Sequence, residues 1–231
     1  MPLVYQHNIN PSTKLGVWHI AEPEAFFLDE VPLQREITHP NKRLQHLAGR
    51  YLLKELYPDF PYELIRIAGT RKPFLENEAC HFSISHCGSY AAVIVSTDHR
   101  VGVDVELISD KVDKVKHKFL SGAEQQLLKE IPRFPYPIFN EKLLTAAWSI
   151  KESLFKWQGS NEVDFKKHLQ LVSISLDDNE GTAFCNIIMD VKIDLQVHFL
   201  FFNKNCISWV LSDVRGTGQG GNELPQALAY R

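Results

Sequence analysis

WSIKESLFK, residues 148–156, and GVDVE, residues 102–106, decide how this chain is read. Taken as a helix, the first segment and its flanks place Leu143, Ala147, Ile150, Leu154 and Trp157 on one apolar face. Ser149, Glu152 and Lys156 fall on the opposite face, so a carboxylate and an ammonium share a polar stripe. Taken as a strand, the second segment turns Val103 and Val105 to one side and Gly102, Asp104 and Glu106 to the other, so two carboxylates project the same way. Three acids and a lysine then have the means to converge. Glu152 and Lys156 also stand at the spacing of an ordinary helix surface pair, worth about 0.3–0.5 kcal/mol. That reading leaves the strand unexplained. Two acids on one face of a Val-rich strand repel unless solvent, a cation or a partner compensates, and Mg²⁺ takes such carboxylate oxygens. An isolated pair of this kind is often only solvated; the combination with the helix points to a site.

The bulk properties set limits around this pair of motifs. The chain has 231 residues, 44% hydrophobic and 23% charged, the composition of an ordinary globular protein. A formal net charge of -3 gives no global attraction for nucleic acid or an anionic membrane. No apolar run approaches the roughly 20 residues of a membrane helix, and the first residues, MPLVYQHNINPSTK, lack the basic and apolar regions of a secretory signal. The expected location is cytoplasmic. Cys80, Cys87, Cys185 and Cys206 form no CxxC pair and are expected to be reduced and mostly buried. Cys87 follows His86 directly, but adjacent residues on an extended chain point in opposite directions, which counts against a nucleophilic dyad.

Two successive α+β halves are expected, residues 1–99 and 100–215, followed by a Gly-rich, polar tail over 216–231 that reads as flexible. The first opens with the strand LGVWHIA, residues 15–21, passes through FFLDEVPLQREI to the helix NKRLQHLAGRYLLKEL, and closes with HFSISHC and AAVIVST. A short loop with Gly88 joins these last two as a hairpin. The second runs from RVGVDVELI through KFLSGAEQQLLKEI and EKLLTAAWSIKESLFKWQ to the strands LQLVSISL, AFCNIIMDV, LQVHFLFF and CISWVLS. GVWHIAE lies over GVDVELI, FFLDE over KFLSGAE and GRYLLKEL over KESLFKWQ, the pattern of a duplication. Prolines 132, 135 and 137 mark an extra loop in the second half. Two such units packed side by side would form a shared cleft at their seam.

Several basic positions are suited to an anion. In GTRKPFL a glycine and a proline bracket Arg71 and Lys72, so a restrained turn presents two cations. Arg43, His46, Arg50 and Lys54 share one face of the first-half helix, which is equally the pattern of a solvated face. In FSISHC, Phe82 and Ile84 are expected to point inward, Ser83 and Ser85 outward. His86 at the strand end, beside the Ser85 hydroxyl, can donate to a phosphate or simply close the hairpin.

In this order, GTRKP, FSISHC, GVDVE, KFLSGAE and WSIKESLFK resemble the signature set of the 4′-phosphopantetheinyl transferases. The similarity runs over roughly residues 15–180 and is to the longer, surfactin-synthetase-activating class with two pseudo-repeated halves. It implies an α+β fold of two similar halves in pseudo-two-fold arrangement, with coenzyme A in the cleft between them. It also implies a Mg²⁺-dependent monomer that moves the phosphopantetheine arm of coenzyme A to a serine of an apo acyl, peptidyl or polyketide carrier protein and releases 3′,5′-ADP. Mn²⁺ accepts the same oxygen ligands. The resemblance assigns Asp104, Glu106 and Glu152 to the metal and Lys156 to the phosphates, with Glu152 as general base and Glu124 as the competing candidate. Ser85, His86 and Lys72 fall at the 3′-phosphate, assisted by Arg71, and His46 and Arg50 at the nucleotide end. Lys151 is placed on the polar side, screening phosphate or facing solvent, and Trp148 is read as packing. Two departures stand out: Cys87 replaces a small hydroxyl residue, and the loop QGSNEVDF lacks a second glycine and apolar residues. The alternatives are a coenzyme A-binding module that has lost transfer and another Mg²⁺-dependent phosphate-ester enzyme, for which FSISHC and GTRKP would have no purpose.

Overall fold

The computed structural model describes residues 2–33, 36–69, 72–131, 139–160 and 162–213. Two compact units form, Met1–Val101 with the residues from Ser212, and Gly102–Leu211. The fold is mixed α+β. The proline loop at 132–138 and the tail 216–231 lie outside the described residues.

The first unit is built on an antiparallel sheet of order β1-β2-β6-β5, from β1 (Leu3–Asn10), β2 (Thr13–His19), β5 (His81–Cys87) and β6 (Tyr90–Ser96). β1 carries little strand signal of its own, since its residues alternate only weakly. Gly88, at φ +55, makes the β5–β6 turn that the hairpin spacing predicts. Helix α1 (Glu24–Leu28) precedes α2 (Pro40–Leu56), which starts with a proline in its first turn, where the missing N–H costs nothing, and stops at Tyr57 before Pro58. Leu47, Ala48, Leu52, Leu53 and Leu56 of α2 join Phe82, Val93 and Val95 of the sheet in one core. A small ribbon, β3 (Ile65–Ile67) with β4 (Pro73–Leu75), follows α2.

The second unit takes β7 (His99–Leu107) from Gly102 onward, followed by α3 (Lys111–Phe119), α4 (Gly122–Glu130) and the long α5 (Phe139–Gln158). Four antiparallel strands complete it: β8 (Leu169–Asp177), β9 (Glu180–Ile188), β10 (Lys192–Phe202) and β11 (Asn205–Asp213), in a sheet of order β7-β11-β10-β9-β8. Ser121 starts α4 with a capping box. Its hydroxyl accepts from Glu124 N at 3.3 Å while the Glu124 carboxylate accepts from Ser121 N at 2.7 Å, which satisfies two end donors at once. Ile150, Leu154 and Trp157, the predicted apolar face of α5, are buried with Leu171, Ala183, Val197 and Phe199 of the sheet.

In each unit one strand, β2 or β7, carries a glycine that faces a helix. A Cβ on Gly16 would meet Leu52 and Leu56 of α2, within reach of side-chain adjustment. At Gly102 it would land on the carbonyl oxygen of Ser153 and the backbone nitrogen of Trp157, which cannot move aside without unwinding α5. Gly102→Ala is expected to lower stability by about 1–3 kcal/mol in urea unfolding. Gly122→Ala, whose Cβ would meet nothing within 4 Å, is the control expected to lose none; equal stability of the two variants would refute the close approach.

Candidate functional site

Gly102, Asp104 and Glu106 occupy successive positions on one face of β7, and α5 answers them in reverse order. Gly102 lies against Ser153 and Trp157, Asp104 Oδ1 is 2.7 Å from Lys156 Nζ, and Glu106 Oε1 accepts from Trp148 Nε1 at 3.1 Å. The match is metric. Four strand residues rise about 13 Å and nine helix residues about 13.5 Å, so an antiparallel strand and helix stay in step over this length. The acidic face of β7 and the helix of the second motif therefore meet in the second unit.

Its pairing differs from the simplest expectation. Lys156 bridges to Asp104 on the strand rather than closing a helix surface pair with Glu152. Asp104 is buried, so taking its charge out of water has a cost that the ammonium offsets. Glu152 is half-buried. Its carboxyl is raised from 4.5 to about 7, first by burial, then by the Asp104 charge, with Lys156 opposing and Glu106 adding a smaller push.

That crowding of like charges is what a divalent cation relieves, and an all-oxygen set of three carboxylates suits Mg²⁺. By chemistry, the residues fit the metal. Among the described residues, however, no three His, Cys, Asp or Glu side chains are gathered as ligands, consistent with Lys156 and Trp148 holding an oxygen each of Asp104 and Glu106.

Two neighbouring motif residues are corrected. Lys151 does not lie on a polar face: it is 1% exposed, and its three protons go to Glu124 Oε1 at 2.6 Å, Phe119 O at 2.7 Å and Phe165 O at 2.8 Å. Burial lowers its pKa, and Glu124 pulls it back only in part. Glu124 is equally committed, since Oε1 also accepts from Leu171 N at 2.8 Å and Oε2 caps α4. Ser149, placed by periodicity on the polar stripe, is buried and shares a 2.9 Å hydrogen bond with Ser208.

In the first unit Lys72, His81 and Arg100 line a small cavity with Glu78, Cys80 and Phe82. Burial, then the Arg100 charge, lowers the Lys72 pKa from 10.5 to about 7, so an anion at this cavity would restore its proton. His81 and Arg100 went unread; the signal was their place at strand ends flanking FSISHC and GVDVE. Arg71 lies outside the described residues.

The α2 face taken as potentially solvated is largely covered. Arg43 pairs with Glu24, Lys54 with Glu30, Arg50 is buried and His46 half-buried. Ser83 and Ser85, expected to point outward, are also buried, and His86 at the end of β5 is half-buried. Gln45 Nε2 donates to Gly88 O at 2.7 Å, which ties α2 to the turn after His86. All four cysteines are free, and Cys80, Cys185 and Cys206 are buried. Among the described residues no helix is long and apolar enough to cross a membrane.

The family model of the 4′-phosphopantetheinyl transferase superfamily matches residues 100–210. The chain is 30% identical over 117 residues to enterobactin synthase component D of Salmonella typhi, covering 50% of this chain and 47% of that protein. It is 29% identical over 131 residues to the protein of the same name from Escherichia coli O157:H7, covering 54% and 60%. The chain thus spans about half the length of the first of these curated relatives.

The titration of Glu152 carries a sign that can be checked. Its folded value, about 7, lies above the ordinary 4.5, so between these values the folded chain keeps a proton that the unfolded chain has lost, and stability falls as pH rises through that window. Glu152→Gln removes this loss. Without metal, the variant is expected to exceed the wild type by on the order of 1–2 kcal/mol at pH 8, after discounting for solvent access, and to match it near pH 4. Urea unfolding at both pH values measures the gap; a pH-independent gap would contradict the assignment.

Proposed function

The chain belongs, through residues 100–210, to the 4′-phosphopantetheinyl transferase superfamily, and from that premise we propose that it transfers the phosphopantetheine arm of coenzyme A to a serine of an apo carrier protein. The observation that carries this reading is the convergence of Asp104, Glu106, Glu152 and Lys156 between β7 and α5. Asp104, Glu106 and Glu152 would hold Mg²⁺, with Mn²⁺ as a substitute. The ion, when bound, neutralises pyrophosphate charge.

The serine oxygen forms a bond to the β-phosphorus, the bond from that phosphorus to the bridging oxygen breaks, and 3′,5′-ADP leaves. Glu152 would take the serine proton, since its carboxylate stands beside Asp104 and Lys156 in the same site. Lys156, held by Asp104 before substrate arrives, stabilises the charge gathering on the leaving group. Glu124 supports the site as a buried partner of Lys151 rather than as the base, because both its oxygens are engaged. Lys72, Arg71, Ser85 and His86, with His46 and Arg50, are assigned to the nucleotide end of coenzyme A. The protein is proposed to work as a cytoplasmic monomer.

One second reading is a module that binds coenzyme A without transfer, in which the Asp104–Lys156 pair stays closed. Incubation with coenzyme A, Mg²⁺ and several apo carrier proteins, read by mass, separates the two. Transfer is expected in the wild type and its loss, by at least about a thousandfold, in Glu152→Gln with the fold retained. Binding of coenzyme A with no carrier modified would leave the module.

Helix α3 offers the carrier a basic surface. Lys111, Lys114, Lys116 and Lys118 outnumber Asp110 and Asp113, and Val115 is exposed among them. Carrier proteins are generally acidic near the modified serine, so charge complementarity would speed encounter. Reversal of Lys111 and Lys118 to Glu is expected to raise KM for the carrier about tenfold and flatten its salt dependence, with KM for coenzyme A unchanged. Steady-state kinetics in each substrate tests this, and an unchanged carrier KM rejects α3 as the docking surface.

A further inference from the structure

The proposed chemistry gives the buried ion pair Lys151–Glu124 no reacting role. We propose that this pair is the fixed end of a relay that orients the Glu106 carboxylate, and that Trp148 is the positioning residue through which it acts. The inference rests on the reading of Glu106 as a metal ligand. Lys151 Nζ donates to two backbone carbonyls, those of Phe119 and Phe165, at 2.7 and 2.8 Å. The rings of these same two residues enclose Trp148. Phe119 meets it edge-on, centroids 5.0 Å apart at 67°, and Phe165 stacks on it at 5.6 Å and 21°. The indole so held donates its one N–H to Glu106 Oε1 at 3.1 Å.

Each link restricts the next. The ammonium of Lys151 is 1% exposed, and its three protons are spent on partners that come from three places: the end of α3, the capping box of α4, and the loop before β8. Removing it would strand those carbonyls and the Glu124 carboxylate in the interior, so the loops that carry Phe119 and Phe165 are held firmly. Two rings at fixed positions leave the indole little rotation, and its N–H is then aimed at one place. A carboxylate otherwise has a soft terminal torsion. With one oxygen held by the indole, Glu106 presents the other in a set direction, which is how residues outside the ligand set raise metal affinity. Trp148 also lies on the side of α5 one turn from Glu152, so the same helix supplies one candidate ligand and aligns another.

Trp148→Phe keeps a ring between Phe119 and Phe165 and deletes the donor along with part of the ring volume. Calorimetric Mg²⁺ titrations of the wild type, W148F, E106Q and the W148F/E106Q double variant test the relay. Affinity is expected to fall about tenfold in W148F and at least as much in E106Q, with no further loss in the double variant, because both changes act through one carboxylate. In ¹⁵N-labelled protein the indole N–H resonance that W148F removes is expected to shift on addition of Mg²⁺ in the wild type and to stay in place in E106Q. Wild-type affinity in W148F beside a weakened E106Q overturns the relay, as do additive losses in the double variant. Wild-type affinity in E106Q overturns the reading of Glu106 as a ligand, a separately visible failure. If W148F does not fold, Phe165→Leu, which keeps the carbonyl and removes the stacking ring, is expected to weaken Mg²⁺ binding only while Glu106 is present, and an effect that persists in E106Q would refute the proposal.

Discussion

At Gly102 the backbone of β7 lies directly on the backbone of α5, with no side chain between them. Nearly everything in the second unit's site depends on that contact. It brings the strand close enough for short side chains, Asp104 in particular, to reach across, and it fixes the register in which strand and helix answer each other. Because four strand residues advance about as far as nine helix residues, the contact of Gly102 with Trp157 brings Glu106 level with Trp148, while the long Lys156 side chain reaches Asp104. A larger residue at 102 would meet the α5 backbone at Ser153 and Trp157 and push the strand away from it.

The two lysines of WSIKESLFK show how differently one helix can spend the same side chain. Lys151 enters the interior, gives up hydration, and recovers the loss through a carboxylate and two carbonyls. Its product is rigidity. Lys156, five residues on, keeps partial contact with water and touches a single carboxylate. A pair of that kind can be exchanged for another anion, whereas the buried one cannot without unfolding its surroundings. The acids divide in the same way: Glu124 is saturated with donors, and Glu152 is left with a raised pKa among like charges.

Much of this was legible in the residues. The α5 apolar face, the β7 alternation, the β5–β6 hairpin at Gly88 and the four closing strands all follow from period 3.6, period 2 and turn chemistry. Reading failed where polarity was taken to mean exposure. Ser149, Lys151, Ser83, Ser85 and Arg50 are all buried. Periodicity assigns a residue to a face, but it cannot say that the face will be covered from outside by another element. β1 was missed for a different reason: a strand of weak alternation gains its stability from pairing with β2, a partner its own sequence does not display.

The sequence by itself determined the order of most elements and which titratable side chains stand at the motifs, because these follow from residue type and local spacing. Only the tertiary structure decided their partners. That Lys156 meets Asp104 rather than Glu152, that Glu124 closes a cap and neutralises Lys151, and that Trp148 reaches Glu106 are contacts between residues far apart in the chain. Such contacts depend on how closely two backbones pack and on which charges must be compensated once water is excluded, and neither quantity is a property of a single segment.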